Sequence, residues 1–197
     1  MKRVLIYTAG LVLCMLLLGV MPISGEEEIY DNVIRLHILA NSDSEADQAD
    51  KLAVRNAILA EYRTVLTAAS TEEATKRVET LLPEIEKTAQ KTLADRGNAA
   101  EVAVTFTEET YPERIYEGLH FPAGRYRSLR VLIGEGEGKN WWCVLFPPLC
   151  VGAATEEISV TQPVEPPPGL GESSWRLVSQ SGEYEIRFKL LEWLMGK

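Results

Sequence analysis

His37, Ser42 and Asp43 come nearest to a hydrolytic set in this sequence. A histidine can relay a proton, a serine can attack a carbonyl, and an aspartate can orient the ring. Positions so close along one chain rarely give that geometry, and no Gly-x-Ser-x-Gly elbow occurs. His37 therefore reads as a half-buried strand histidine. Asp43, Glu45, Asp47 and Asp50 gather four carboxylates beside Asn41. A calcium loop would need a turn glycine and a closing glutamate at fixed spacing, and no glycine lies among them. Acids in a first helical turn complement the helix dipole and need no ligand. Gly134–Gly138 resembles a phosphate loop only in its glycines. Glu135 and Glu137 would repel phosphate, and Lys139 is followed by Asn140 instead of Ser or Thr. The loop reads as a mobile hairpin connection. A zinc site from Cys143, Cys150, His37 and His120 has poor ligand spacing. These residues point to no catalytic group, no metal and no cofactor.

Cys143 and Cys150 are an even pair beyond the N-terminal segment, and Pro147-Pro148 between them can turn the chain. In an oxidising compartment such a pair invites a disulfide; two buried thiols are the other reading. Trp141 and Trp142 are adjacent. On one strand, alternation sends their indoles to opposite sheet faces, so either one suits the core and the other a partner contact, or a helix or the terminal segment covers both.

What must position these residues begins with an N-terminal export segment. Lys2 and Arg3 precede an apolar run from Val4 to Met21, then Pro22–Gly25 leads into Glu26-Glu27-Glu28. That order describes a secretory signal peptide, with an uncleaved membrane anchor as the rival reading. Either way the remainder is exported. Without Lys2 and Arg3 the bases fall from 20 to 18 against 29 acids, so the exported part carries about −11. Such an acidic chain has no electrostatic footprint for nucleic acid. The expected organisation is a signal or anchor at 1–25, one domain at 26–152, an acidic Pro-rich linker at 153–175 and a C-terminal segment with a helix at 176–197.

Within the domain, Val33–Ala40 alternates as a strand. A helix follows over 44–66 on a stripe of Leu52, Ile58, Leu59, Tyr62, Val65 and Leu66. Ala74, Val78, Leu81, Ile85, Ala89 and Leu93 mark a second helix, interrupted or restarted at Pro83 and stopped by Gly97. Ser42 with Glu45, and Ser70 with Glu73, fit capping boxes. Strands are expected at 102–107, 126–133 and 141–146, a loop around Tyr111 and Tyr116, and a terminal helix over 183–195. The order predicts an α+β fold: a mixed or antiparallel sheet of about four strands with helices packed on one face.

Three blocks then carry a resemblance. They are Val33–Ser44 (VIRLHILANSDS), the Phe121–Tyr126 turn (FPAGRY) and Asn140–Cys150 (NWWCVLFPPLC). Together they resemble the stage II sporulation protein R family. The resemblance implies a protein made in the forespore of endospore-forming bacteria and exported between the two septal membranes. It implies a signal to the mother cell through a membrane-embedded aspartic protease, stage II sporulation protein GA, which then cleaves the precursor of sigma factor E. It carries no catalytic residues. Membrane contact would run only through the N-terminal segment. On this reading Arg35, His37, Asn41 and Asp43 at the strand end, with Trp141 or Trp142, are the expected partner contact. An exported hydrolase acting on septal peptidoglycan or peptides through His37 or Asp43 is the alternative, and a septal adhesin a weaker one.

Overall fold

The computed structural model describes residues 2–19, 26–62, 68–116, 118–149 and 165–179. Helix α1 (Lys2–Gly19) holds the apolar N-terminal run, with Val4, Ile6, Tyr7, Leu11 and Leu13 exposed. Among the described residues no helix is long and apolar enough to cross a membrane.

The centre is a four-stranded sheet in the order β2-β5-β1-β6, built from β1 (Ile34–Leu39), β2 (Val102–Tyr111), β5 (Gly124–Ile133) and β6 (Asn140–Phe146). β1 runs parallel to β5 and antiparallel to β6, and β2 is antiparallel to β5, so the sheet is mixed. Being central, β1 is covered on both faces, which explains its imperfect alternation of apolar and polar residues.

Ile34, Leu36 and Ile38 point to one face with Leu129, Val131, Ile133, Cys143 and Leu145. Against them pack α3 (Glu45–Glu61), through Val54, Ile58 and Leu59, and α4 (Thr71–Asp95), through Ala74, Val78, Ile85, Ala89 and Leu93. Each large side chain buried here contributes about 1.5–3 kcal/mol. The α4 stripe is the one expected. In α3, Val54 takes the inward role and Leu52 turns outward. Pro83 lies inside α4, which continues through it as one helix. Gly97, at φ +78°, follows its end in the left-handed conformation that glycine adopts without steric cost. The cap of α3 is Ser44, whose Oγ accepts from the Asp47 N–H at 3.1 Å, in place of the expected Ser42–Glu45 box. Ser42 instead donates to the Asp47 carboxylate. The second cap is found: Ser70 accepts from the Glu73 N–H, and Glu73 accepts from the Ala69 N–H.

Gln90 of α4 accepts from the Val102 N–H at 2.9 Å, and Glu86 from the Val104 N–H at 3.1 Å. The start of edge strand β2 is thereby closed to another strand.

The other sheet face is covered by three elements that the periodicity did not show. They are α2 (Glu26–Asn32), a two-stranded hairpin of β3 (Arg114–Tyr116) and β4 (Leu119–Phe121), and α5 (Glu172–Ser179). The hairpin replaces the loop expected around Tyr111 and Tyr116. Its strands have three residues each, too few for a period of two to register. A C-terminal helix is present as α5, beginning within the stretch read as linker. Trp175 and Val178 fix it by burial beside Leu170 and Ile29, and the Glu28 carboxylate accepts from the Gly171 N–H and the Ser174 hydroxyl. Most of the linker, at 153–164, and the helix expected at 183–195 lie outside the described residues.

Because β1 separates β5 from β6, residues 134–139 form no hairpin. They cross the C-terminal end of β1. The expected mobile loop is held instead: Asn41 Oδ1 accepts from the Glu135 N–H, Asn41 O from the Glu137 N–H, Ala40 O from the Gly138 N–H, and Asp43 Oδ1 from the Lys139 N–H. Lys51 of α3 donates to Lys139 O at 2.9 Å. A Cβ on Gly138 would stand 2.2 Å from Ser42 O, a backbone atom that cannot swing away. Gly138→Ala should therefore cost about 1–3 kcal/mol in denaturant unfolding, by the strain of overpacking. An unchanged midpoint would show that the crossover is not held against β1.

Candidate functional site

The face of β1 opposite the long helices carries Arg35 and His37. Alternation puts Tyr126, Ser128 and Arg130 of β5, Glu109 and Tyr111 of β2, and Trp142 and Val144 of β6 on the same side. Ser128 is small, so side chains from β2 reach across β5 to β1.

Arg35 is fully buried. Its guanidinium carbon lies 4.5 Å from the centre of the Tyr111 ring, 5.1 Å from Tyr126, 5.3 Å from Phe121 and 5.4 Å from Tyr116. Nη2 donates to the Tyr116 hydroxyl at 2.7 Å. No salt bridge to a carboxylate is found for it among the described residues. Burial pulls its pKa below the usual arginine value, and the tyrosines partly restore it. Burial likewise pushes the Tyr111 and Tyr126 phenols well up. The magnitudes nearly balance. An unpaired buried ion costs several kcal/mol, four ring contacts return roughly 0.5–2 kcal/mol each, and a charge-assisted hydrogen bond returns about 1.5–3 kcal/mol.

His37 sits beside Arg35 on the same strand face, with its side chain 13% exposed. Its Nδ1 lies within hydrogen-bond distance of the Glu109 carboxylate at 3.2 Å, and its ring leans on Trp142 (5.6 Å) and Tyr111 (6.1 Å). Arg130 Nε lies 3.6 Å from the same Glu109 carboxylate. Burial alone would raise the Glu109 carboxyl. Hydrogen bonds from His37 and Ser128 and the charges of His37 and Arg130 together outweigh it and hold the pKa below the ordinary value. Arg114, on the hairpin, lays its guanidinium 4.0 Å above the Trp142 ring.

Of the six residues expected to meet a partner, this face gathers Arg35, His37 and Trp142. Arg35 lies beneath the hairpin as its internal support. Trp141 is on the opposite face, half-buried under Arg55 at 4.2 Å, so the two indoles do diverge. Asn41 and Asp43 are engaged in holding the crossover. His37, Ser42 and Asp43 each bond a different partner and form no trio. Cys143 is buried on the helix face of β6, away from His37, so the two cannot share a zinc ion; Cys150 lies outside the described residues. Among the described residues no cluster of three or more metal-ligating groups occurs. Sequence reasoning missed Glu109, Tyr111, Arg114 and Arg130. Extending the alternation of β2 as far as Tyr111 would have placed Glu109 and Tyr111 on the face of Arg35.

A four-stranded mixed sheet with a buried arginine under an aromatic strap defines an α+β domain with one cationic and aromatic face. The family model for stage II sporulation protein R matches residues 30–156, which enclose the entire sheet. The chain belongs to that family. It is 43% identical over 123 residues to the stage II sporulation protein R of Bacillus subtilis strain 168, covering 62% of this chain and 55% of that protein. The chain thus spans little more than half the length of that relative. No solved structure matches.

Two outcomes follow from the balance at Arg35 and the bonds at Glu109. Arg35→Met, which keeps the volume and removes the charge, should lie within about 1.5 kcal/mol of the parent in urea unfolding. Arg35→Ala should cost about 3–5 kcal/mol by the void it leaves. Equal losses would make the charge essential to folding. The folded Glu109 pKa is below its unfolded value, so its stabilisation is present above about pH 4.3 and is lost as pH falls through the folded value. The stability gap between parent and Glu109→Gln should be widest near neutrality and narrow below about pH 4. A gap that widens with acid contradicts this.

Proposed function

We propose that this protein is an exported sporulation signal. It leaves the forespore through its N-terminal segment, enters the space between the septal membranes, and activates the membrane-embedded aspartic protease stage II sporulation protein GA. That protease then processes the sigma-E precursor in the mother cell. The observation that carries this reading is the family match across the whole sheet, with its cationic and aromatic face and the hairpin above it. The hairpin exposes Ile115 (63%) next to Arg114. Half-buried Trp142 and exposed Ile115 supply the apolar and aromatic anchors from which contact hot spots are built. Activation requires that this face bind the active form of the protease more tightly than the inactive one. A bridge between Cys143 and Cys150 belongs to the same proposal, since the exported chain would fold in an oxidising space and the bridge would stabilise it by about 2–3 kcal/mol.

Co-expression of the full chain with that protease and a tagged sigma-E precursor in a non-sporulating host should yield the cleaved factor. Trp142→Ala should lower cleavage about tenfold, and Trp141→Ala, on the helix face, by much less. Absence of cleavage with the parent chain defeats the proposal. Equal effects of the two substitutions remove the hairpin face from it.

A further inference from the structure

Six buried side-chain nitrogens among the described residues have no protein hydrogen-bond partner. Five lie together on the hairpin face: Arg35 Nε and Nη1, His37 Nε2, Arg114 Nε and Arg130 Nε. The sixth, Trp141 Nε1, is on the other face. Burying a donor without an acceptor is costly, and native interiors keep such groups few. Those of Arg35 face the rings that enclose it; those of His37, Arg114 and Arg130, together on one row in a chain of net charge −9, point to an anionic ligand. The four arginine atoms are donors by necessity, because a guanidinium has no acceptor. Around the row itself, Arg35, Arg114, Arg130 and His37 stand about one carboxylate, Glu109, which pairs with His37 and Arg130. That row is therefore locally rich in donors and in positive charge within an acidic chain.

We infer that this face binds an acidic segment of a partner protein, taking its Asp or Glu carboxylates between Arg130 and the Arg114–Trp142 pair. This deepens the signalling reading of the previous subsection and rests on it for the partner's identity only. The spacing sets the ligand's form. Arg130, His37 and Trp142 stand in one row across β5, β1 and β6. Neighbouring strands lie about 4.8 Å apart, so Arg130 and Trp142 are separated by about 10 Å. An extended segment advances about 3.3 Å per residue and turns every second side chain to the same face, so carboxylates two or four residues apart, about 7 or 13 Å, bracket the row within side-chain reach. Planar carboxylates also match the forked donors of arginine. Arg35, sealed beneath the rings, adds a fixed positive charge under the site. A long polyanion is disfavoured because the surrounding surface is acidic; a short segment meets only the local field.

The test uses the full chain in non-ionic detergent, with a fluorescein-labelled hexaglutamate peptide as probe, hexaglutamine as its neutral control, and anisotropy as readout. Hexaglutamate should bind and hexaglutamine should not. Arg114→Gln and Arg130→Gln should each weaken binding at least about fivefold while the far-ultraviolet circular dichroism shows the fold retained. Arg125→Gln, an exposed arginine paired with Glu108, should leave binding intact. If Arg114→Gln also unfolds the hairpin, Arg130→Gln alone decides. No hexaglutamate binding, or equal weakening by Arg125→Gln, overturns the inference. Because no protease is present, either failure leaves the signalling reading standing, and failure of precursor cleavage leaves this site standing.

Discussion

A guanidinium placed in the middle of a sheet, with no carboxylate bonded to it among the described residues, constrains everything above it. Arg35 cannot reach water, so its charge must be met by ring faces and one phenol. Those rings come from three places: Tyr111 at the end of β2, Tyr126 early in β5, and Tyr116 and Phe121 in the hairpin. Satisfying one charge therefore fixes how the hairpin lies on the sheet. The hairpin in turn carries Arg114 onto Trp142. The half-buried row from Arg130 through His37 to Trp142 is thus a consequence of what lies under it.

The strand order imposes the second constraint. With β1 between β5 and β6, the connection must climb over the end of β1. The chain there needs acceptors on one side and room on the other. Asn41 and Asp43 provide the acceptors, and the glycines of 134–138 provide the room. The acidic, asparagine-containing end of β1 looks like a ligand site in one dimension. In three it is a clasp.

The two long helices were legible because each runs for several turns with a stripe at helical spacing. β1, β5 and β6 were legible as apolar runs bounded by turn residues. The hairpin and α2 were not, since three-residue strands and a seven-residue helix carry too little periodicity. Pro83 left two readings open, and packing against the sheet settled it as one helix. At the site, Arg35, His37 and Trp142 were picked out by type. Their partners Glu109 and Arg114 were not, because they come from elements whose placement depends on strand order. Asn41, Asp43 and Trp141 were picked out on the same grounds, and tertiary placement put them to structural use.

The central claim is that the hairpin face, and not the long-helix face, meets the partner. Site-specific photocrosslinking tests it most directly, with a benzophenone side chain placed at exposed Ile115 of the hairpin or at exposed Lys76 of α4 in cells that also make the candidate protease. A crosslinked adduct from position 115 and none from position 76 is the expected result. An adduct from position 76, or none from position 115, would contradict it.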